Sequence, residues 1–196
     1  TGPPLMPRRS TKGWPPSTCT MKSSSVPDTL RAYSLMAEKT SWPFHIGITE
    51  AGPGMGGVVK SAAGISSLLA LGLGDTVRVS LTASPVDEVR AARQILQAME
   101  VRRFGPEVIS CPTCGSTQVD LIPIAVAVEE RLRDIADPVK VAVMGCPVNG
   151  PGEAREADYG VACGRDGGIL FAKGQVLGRV ATEDIVESLV RLVEKR

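Results

Sequence analysis

Short apolar runs alternate with amphipathic stretches along the chain after residue 20. Apolar residues at helical spacing predict helices at residues 28–39, 58–72 and 84–100. Apolar runs at residues 44–50 and 75–82 predict strands between these helices. Ser84 is the expected N-cap of the third helix, with Pro85 at its first helical position. Because strands alternate with helices, this part of the chain is predicted to form βα units with a parallel sheet.

A second block begins near residue 104. Strands are predicted at residues 106–111 and 139–145, on either side of a helix at residues 119–135. Three short strands bounded by turns follow within residues 158–181 and are predicted to form a small meander. An amphipathic helix with Thr182 as its cap closes the chain. The pattern therefore predicts an α/β protein whose two domains meet near residues 103 and 104.

The first twenty residues do not share this pattern. Residues 1–27 contain no acidic residue but carry four basic ones among many Pro, Ser and Thr, and they lack the apolar segment of a secretory signal. The composition fits an organelle transit peptide loosely. Because the sequence begins with Thr1, a truncated or wrongly read upstream region is an equal alternative. We expect residues 1–20 to be disordered or artefactual.

Composition narrows the classes of partner. The chain has 196 residues, a formal net charge of +1 and 43% hydrophobic residues, so no charge excess favours nucleic-acid binding. Its longest apolar stretches reach about half of the ~20 residues that a membrane span requires. We therefore expect neither a nucleic acid nor a membrane as a partner.

Three cysteines and one glutamate follow two of the predicted strands. Cys111 and Cys114 form the pair in "CPTC", and Cys146 lies in the loop "MGCPVNGPGE", which ends at Glu153. Prolines and glycines specify this segment as a loop. The pattern is C-x2-C-x31-C-x6-E. Two thiolates at C-x2-C spacing can bind one metal centre from a single turn, so the pattern predicts a metal site.

The type of metal site remains open at this point. A structural zinc site usually takes four Cys or His ligands as two pairs, whereas this chain has one pair, and its only histidine, His45, lies in the other block. Cys163 is the remaining candidate for a fourth zinc ligand. Three thiolates with one weaker oxygen ligand suit an iron–sulfur cubane. One iron then carries a ligand that can leave, which favours catalysis over plain electron transfer. A zinc-binding structural module and an electron-transfer iron–sulfur protein are the alternatives.

The glycine-rich stretch "GPGMGG" fits the dinucleotide fingerprint G-x-G-x-x-G at Gly52, Gly54 and Gly57. The acidic residue at suitable distance, Asp75, precedes the next predicted strand instead of following it. The phosphate-loop pattern fails as well, because two valines separate Gly57 from Lys60. We interpret the glycines as a βα turn that presents amides to phosphate.

Five longer motifs carry a family resemblance: "HIGITEAG", "VVKSAAGISSLL", "GDTVRVSLTASPVDEV", "SCPTCG" and "VAVMGCPVNGPGEA". From about Met21 onwards, the chain resembles the 4-hydroxy-3-methylbut-2-enyl diphosphate synthase family. The resemblance implies the C-terminal portion of a TIM barrel, with about three βα units in residues 21–103. It also implies a smaller α/β domain with a [4Fe–4S] cluster in residues 104–196. A full barrel needs eight βα units, so we expect a fragment of the enzyme that is catalytically inactive alone.

The same resemblance implies the site residues. The cluster ligands would be Cys111, Cys114, Cys146 and Glu153, whereas Cys19 and Cys163 fall outside the set. The substrate-binding residues would be Lys22, Arg78, Ser80 and Asn149. Glu50 is the expected proton donor or orienting group, and Glu153 is the ligand that substrate replaces.

The resemblance also implies the reaction. It is the reductive ring opening and dehydration of 2-C-methyl-D-erythritol 2,4-cyclodiphosphate in isoprenoid biosynthesis. Reduced flavodoxin or ferredoxin would supply the electrons. The family further implies a head-to-tail homodimer, and we expect a bacterial cytoplasmic location in preference to a plastid stroma.

Overall fold

The computed structural model describes residues 18–146 and 157–195. The chain divides into two compact units, and the boundary lies between Arg103 and Phe104. Both units combine helices with sheets, which confirms the α/β class. Within the described ranges, no helix is both long and apolar enough to cross a membrane.

The first unit contains three strands that each precede a helix. Its elements are β1 (Cys19–Thr20), α1 (Val26–Lys39), β2 (Phe44–Ile46), α2 (Gly54–Ala70), β3 (Thr76–Val77) and α3 (Pro85–Ala98). The strands form one parallel sheet in the order β1-β2-β3. The described part of this unit is thus an open arrangement of three βα units and not a closed barrel.

Two differences from the predicted elements have local causes. Cys19 and Thr20 belong to a segment for which disorder was expected, yet they pair with Phe44 and His45 of β2. Helix α2 begins at Gly54, four residues earlier than predicted, so part of the glycine-rich stretch is helical. The predicted N-cap of α3 is confirmed, because Ser84 Oγ accepts a hydrogen bond from the Asp87 N–H at 3.3 Å.

Tyr33 connects the strands of the first unit to its core. Its side chain is fully buried and packs edge-to-face on Phe44 with 5.5 Å between ring centroids. Its hydroxyl accepts a hydrogen bond from the Met21 N–H at 3.0 Å and donates one to the His45 carbonyl. One phenol oxygen therefore holds the chain after β1 against β2.

Replacing Tyr33 with Phe should lower the free energy of unfolding by about 1–3 kcal/mol, because the Met21 and His45 groups lose a buried partner. Urea unfolding followed by far-UV circular dichroism measures the change. The control is Tyr159→Phe, since the Tyr159 hydroxyl makes no hydrogen bond within the described residues. Equal midpoints for the two variants would contradict the proposed role of Tyr33.

The second unit is built on one mixed sheet. Its elements are β4 (Glu107–Ser110), α4 (Leu121–Leu132), β5 (Lys140–Met144), β6 (Tyr159–Gly164), β7 (Gly167–Ala172), β8 (Gln175–Val180) and α5 (Ile185–Glu194). The strand order is β4-β5-β6-β7-β8, parallel from β4 to β6 and antiparallel from β6 to β8. The predicted meander is therefore the continuation of the parallel sheet.

The core of this unit lies between the sheet and its two helices. Its fully buried members include Val128, Val141, Val161, Ile185 and Leu189. The prediction that Thr182 caps the last helix is wrong. Residues Thr182–Asp184 form a short 3-10 turn, and α5 begins only at Ile185, because the Asp184 N–H donates back to the Ala181 carbonyl.

Candidate functional site

In the second unit, the carboxyl ends of parallel strands bring two of the predicted ligands to one sheet edge. Ser110 of β4 is in register with Val143 of β5. Cys111 follows β4 directly, and Cys146 follows β5 by two residues. Cys111 is half-buried and Cys146 is buried. The parallel pairing explains why cysteines 35 positions apart in the sequence lie at the same edge.

Backbone hydrogen bonds tie the two cysteine-bearing segments together. The Gly145 N–H donates to Cys111 Sγ at 3.2 Å, and the Gly145 carbonyl accepts from the Gln118 N–H at 2.9 Å. The Gln118 side-chain oxygen accepts from the Arg165 N–H at 3.3 Å. The "CPTC" turn is thus attached to the end of β5 and to the turn between β6 and β7.

Cys114 lies on the exposed side of this turn, where its surroundings favour the thiolate. The Ser116 backbone N–H has the largest effect in lowering the pKa of the Cys114 thiol, followed by the Thr117 hydroxyl. Polar donor groups beside the sulfur stabilise negative charge on it. Since the thiolate is the form that binds metal, this environment suits a metal ligand.

Cys163 has the opposite environment. It is fully buried near the end of β6, and burial raises the pKa of its thiol to about 11, with the nearby Cys111 as a second cause. Its thiol therefore stays protonated at neutral pH, which is the state of an inert core cysteine. Cys19 lies in β1 of the first unit.

The donor set fits a thiolate-bound centre in its chemistry. Cys111 Sγ accepts a hydrogen bond from the Gly145 N–H, the pKa of the Cys114 thiol is lowered, and Thr117 Oγ1 is buried with no partner among the described residues. Across residues 18–146 and 157–195, no three Cys, His, Asp or Glu side chains form a group that could hold a metal ion. The predicted residues Asn149 and Glu153 lie outside the described ranges.

The thiols should differ in reactivity in the metal-free protein. At pH 8 about one Cys163 thiol in a thousand is ionised, given its pKa of about 11, whereas the lowered pKa of the Cys114 thiol favours its thiolate. We expect iodoacetamide to modify Cys114 first and Cys163 last. Peptide mass spectrometry across pH 6 to 9 measures both rates, with the urea-unfolded protein as control. Equal rates in the folded protein would contradict the assigned environments.

The first unit brings its predicted residues to one edge in the same way. Its three strands are parallel, so the segments that follow β1, β2 and β3 share the carboxyl edge of the sheet. These segments contain the predicted residues Lys22, Glu50, Arg78 and Ser80. Carboxyl ends of parallel strands are the usual position of active sites in α/β proteins.

The Arg78 side chain is anchored at this edge by one hydrogen bond, and one of its buried N–H donors has no partner among the described residues. Its Nη2 donates to Thr49 Oγ1 at 3.2 Å, and its Nε is buried without a partner in the described part of the chain. Gly47 allows the close approach, since a Cβ at this position would overlap the Arg78 carbonyl oxygen. An unpaired guanidinium N–H suits an anion. Sequence reasoning missed Thr49, because this residue lies inside the strand predicted at residues 44–50 and its contact with Arg78 joins distant segments.

Backbone hydrogen bonds set the positions of the segments that contain the other predicted residues of this edge. Glu50 is exposed and has a φ of 54°, a left-handed conformation that is uncommon for a residue other than glycine. The next N–H, that of Ala51, donates to the Ser80 carbonyl at 3.2 Å. The Thr49 N–H donates to the Ser23 carbonyl at 3.0 Å, beside the exposed Lys22. The three segments are therefore linked through their backbones.

The glycine-rich turn has a structural explanation. A Cβ at Gly57 would overlap the Gly52 carbonyl oxygen, and Gly52 itself has a φ of 104°. The Asp75 carboxylate, considered above for nucleotide binding, accepts a hydrogen bond from the Phe44 N–H at 2.7 Å. These contacts account for the glycines and for Asp75 without a bound nucleotide.

Two family models match the chain, one in each unit. The model described as GcpE TIM-barrel domain matches residues 10–93, and the model described as GcpE protein C-terminal domain matches residues 107–195. The first match extends upstream of Met21, where the sequence motifs began, into the segment for which no family match was expected.

Curated relatives match the chain across both units. A protein from Clostridium perfringens is 52% identical over 174 residues, which are 89% of this chain and 50% of the relative. Proteins from Caldanaerobacter subterraneus and Geobacter sulfurreducens are each 53% identical over 175 residues, covering 89% of this chain and 49% and 50% of themselves. All three are named 4-hydroxy-3-methylbut-2-en-1-yl diphosphate synthase (flavodoxin). The chain spans about half the length of these relatives, and it belongs to the GcpE family.

Proposed function

We propose that this chain is part of a 4-hydroxy-3-methylbut-2-enyl diphosphate synthase. The reaction converts 2-C-methyl-D-erythritol 2,4-cyclodiphosphate to 4-hydroxy-3-methylbut-2-enyl diphosphate. Two electrons and two protons enter, the cyclic diphosphate opens, and one water leaves. The observation that carries this proposal is the 52% identity, over 89% of the chain, to a relative bearing that name.

The second unit would hold the electron-transferring group. We assign Cys111, Cys114 and Cys146 as thiolate ligands of a [4Fe–4S] cluster, with Glu153 as the fourth and exchangeable ligand. When bound, such a cluster supplies electrons one at a time and a Lewis-acidic iron. The lowered pKa of the Cys114 thiol supports the assignment, because the thiolate is the form that binds metal.

The first unit would bind the diphosphate. Arg78 offers a guanidinium with an unused Nε donor, and Lys22 adds a second positive charge at the same sheet edge. Ser80 is assigned to substrate binding beside Arg78. Glu50 is assigned as the proton donor or orienting group near the substrate hydroxyl, and its exposed position in a left-handed turn supports access to a ligand. Asn149 is assigned to hydrogen bonding with substrate.

The partners follow from the relatives and the family resemblance. The relatives' names specify flavodoxin, which we take as the electron donor in preference to ferredoxin. We also assign a homodimer, on the resemblance alone. The source organisms of the relatives are bacteria, which supports a bacterial cytoplasmic location over a plastid one.

A hybrid protein tests the function: the upstream half of the Clostridium perfringens relative joined to this chain. We expect anaerobic reconstitution to give bound iron and sulfide, and the cyclic diphosphate to be consumed when reduced flavodoxin is added. Addition of the cyclic diphosphate alone should alter the electron paramagnetic resonance spectrum of the reduced cluster. Stoichiometric zinc without sulfide would refute the cluster, and an unaltered spectrum without turnover would refute the catalytic role.

A further inference from the structure

Leu81 lies one residue beyond Ser80, in the segment that follows β3 at the carboxyl edge of the sheet in the first unit. Backbone contacts join this segment to the one that follows β2. Leu81 forms a parallel bridge with Gly52, whose carbonyl accepts a hydrogen bond from the Thr82 N–H at 3.2 Å. The Ala51 N–H donates to the Ser80 carbonyl, also at 3.2 Å. The segment that carries Ser80 is therefore paired with the segment that follows β2.

The Leu81 N–H is bound by helix α3, because Glu88 Oε1 accepts its hydrogen bond at 2.8 Å. Glu88 and Asp87 both lie in the first turn of α3, where a carboxylate is favourable beside the helix N-terminus. They differ in their contacts. Asp87 is exposed, and its carboxylate accepts hydrogen bonds from Ser84 and Arg90, close by in the sequence. Glu88 is half-buried and reaches out of its helix to the segment after β3.

The side chain of Leu81 is held by a second helix. A Cβ at Gly57, in α2, would lie 2.9 Å from Leu81 Cδ2, so the absence of a side chain at this position leaves room for the leucine. Leu81 is partly buried and packs against the core of the first unit. Helix α2 thus contacts its side chain while Glu88 of α3 binds its backbone N–H. Through Leu81, both helices restrain the position of the preceding Ser80.

We propose that Glu88 is a positioning residue of the diphosphate site: by accepting the Leu81 N–H, its carboxylate holds the segment with Arg78 and Ser80 in the conformation that binds substrate. This inference rests on the proposed function, because it requires Arg78 and Ser80 to contact the diphosphate. A carboxylate beside a site for an anion would by itself weaken binding through repulsion. Its hydrogen bond to the backbone outweighs that repulsion, since hydrogen bonds to ionised acceptors are stronger than those between neutral groups.

The test uses the hybrid protein described above, in its original form and with Glu88→Ala, Glu88→Gln or Asp87→Ala. Isothermal titration calorimetry gives the dissociation constant of the cyclic diphosphate, and turnover with excess reduced flavodoxin gives KM and kcat, all well below the thermal midpoint of each variant. We expect Glu88→Ala to raise the dissociation constant and KM about tenfold. Glu88→Gln should keep most of the affinity, because its amide oxygen still accepts the Leu81 N–H. Asp87→Ala removes an acidic side chain from the same helix turn and should leave affinity nearly unchanged.

The outcomes separate this inference from the proposed function. A loss of stability alone would lower the folded fraction, and with it the apparent kcat, but not the affinity of the molecules that remain folded. Unchanged or tighter binding in Glu88→Ala, or equal losses in Glu88→Ala and Asp87→Ala, would overturn the role of Glu88 and leave the function intact. Equal losses in Glu88→Ala and Glu88→Gln would assign the effect to charge and also overturn the inference. If the hybrid of original sequence binds no cyclic diphosphate, the proposed function fails, and the inference with it.

Discussion

Replacing Cys146 with alanine is expected to abolish assembly of the iron–sulfur cluster while the fold remains. Cys146 follows β5 at the sheet edge where Cys111 follows β4, and it is the assigned ligand of that loop. Without its thiolate, the centre would keep two cysteine ligands and one carboxylate, too few for a stable cubane. The substitution removes only one sulfur atom from a buried side chain, so the fold should tolerate it.

Cys163→Ala is the matched control for Cys146→Ala. Both substitutions remove one buried sulfur atom from the second unit, but the raised pKa of Cys163 describes an inert thiol. Iron and sulfide per chain are measured after anaerobic reconstitution, and thermal unfolding of the metal-free proteins verifies the fold. Full iron and sulfide in Cys146→Ala, or equal loss in both variants, would show that the ligand assignment is wrong.

The order of helices and strands was predictable because each element has its own apolar pattern. Helix α5 has its buried residues at helical spacing (Ile185, Leu189, Val190 and Val193), and β5 is apolar at every position after Lys140. Strand β1 was not predictable in this way. Two residues, Cys19 and Thr20, cannot show a period, and only their pairing with β2 makes them a strand.

The positions of candidate site residues were predictable where those residues directly follow a strand. Cys111 and Arg78 directly follow strands, so their places at sheet edges follow from the predicted elements. Their partners were not predictable, because the Gly145 N–H on Cys111 and the Thr49 hydroxyl on Arg78 come from segments that are distant in the sequence. Spacing cannot specify such contacts, which depend on strand register and turn geometry. The roles of Asn149 and Glu153 stay predictions from the sequence.

Replacing Arg78 with methionine is expected to weaken binding of the cyclic diphosphate about 10- to 100-fold, measured with the hybrid protein described above. Methionine retains most of the aliphatic volume of the arginine side chain but lacks its positive charge and its N–H donors. The Nε of Arg78 is buried and unpaired among the described residues, and a phosphate oxygen is the acceptor that would satisfy it. A hydrogen bond to a charged group contributes about 1.5–3 kcal/mol, and about 1.4 kcal/mol changes affinity tenfold.

Two further variants distinguish a specific contact from general charge attraction at this edge. Arg78→Lys keeps the positive charge but loses the planar donor geometry, so its affinity should lie between those of the original protein and Arg78→Met. Arg90→Met removes one positive charge from an exposed arginine that pairs with Asp87 at 3.4 Å, and it should leave affinity nearly unchanged. Equal losses in Arg78→Met and Arg90→Met would mean that only net charge matters. That result would contradict a specific contact between the Arg78 Nε and the diphosphate, and with it the assignment of Arg78 to substrate binding.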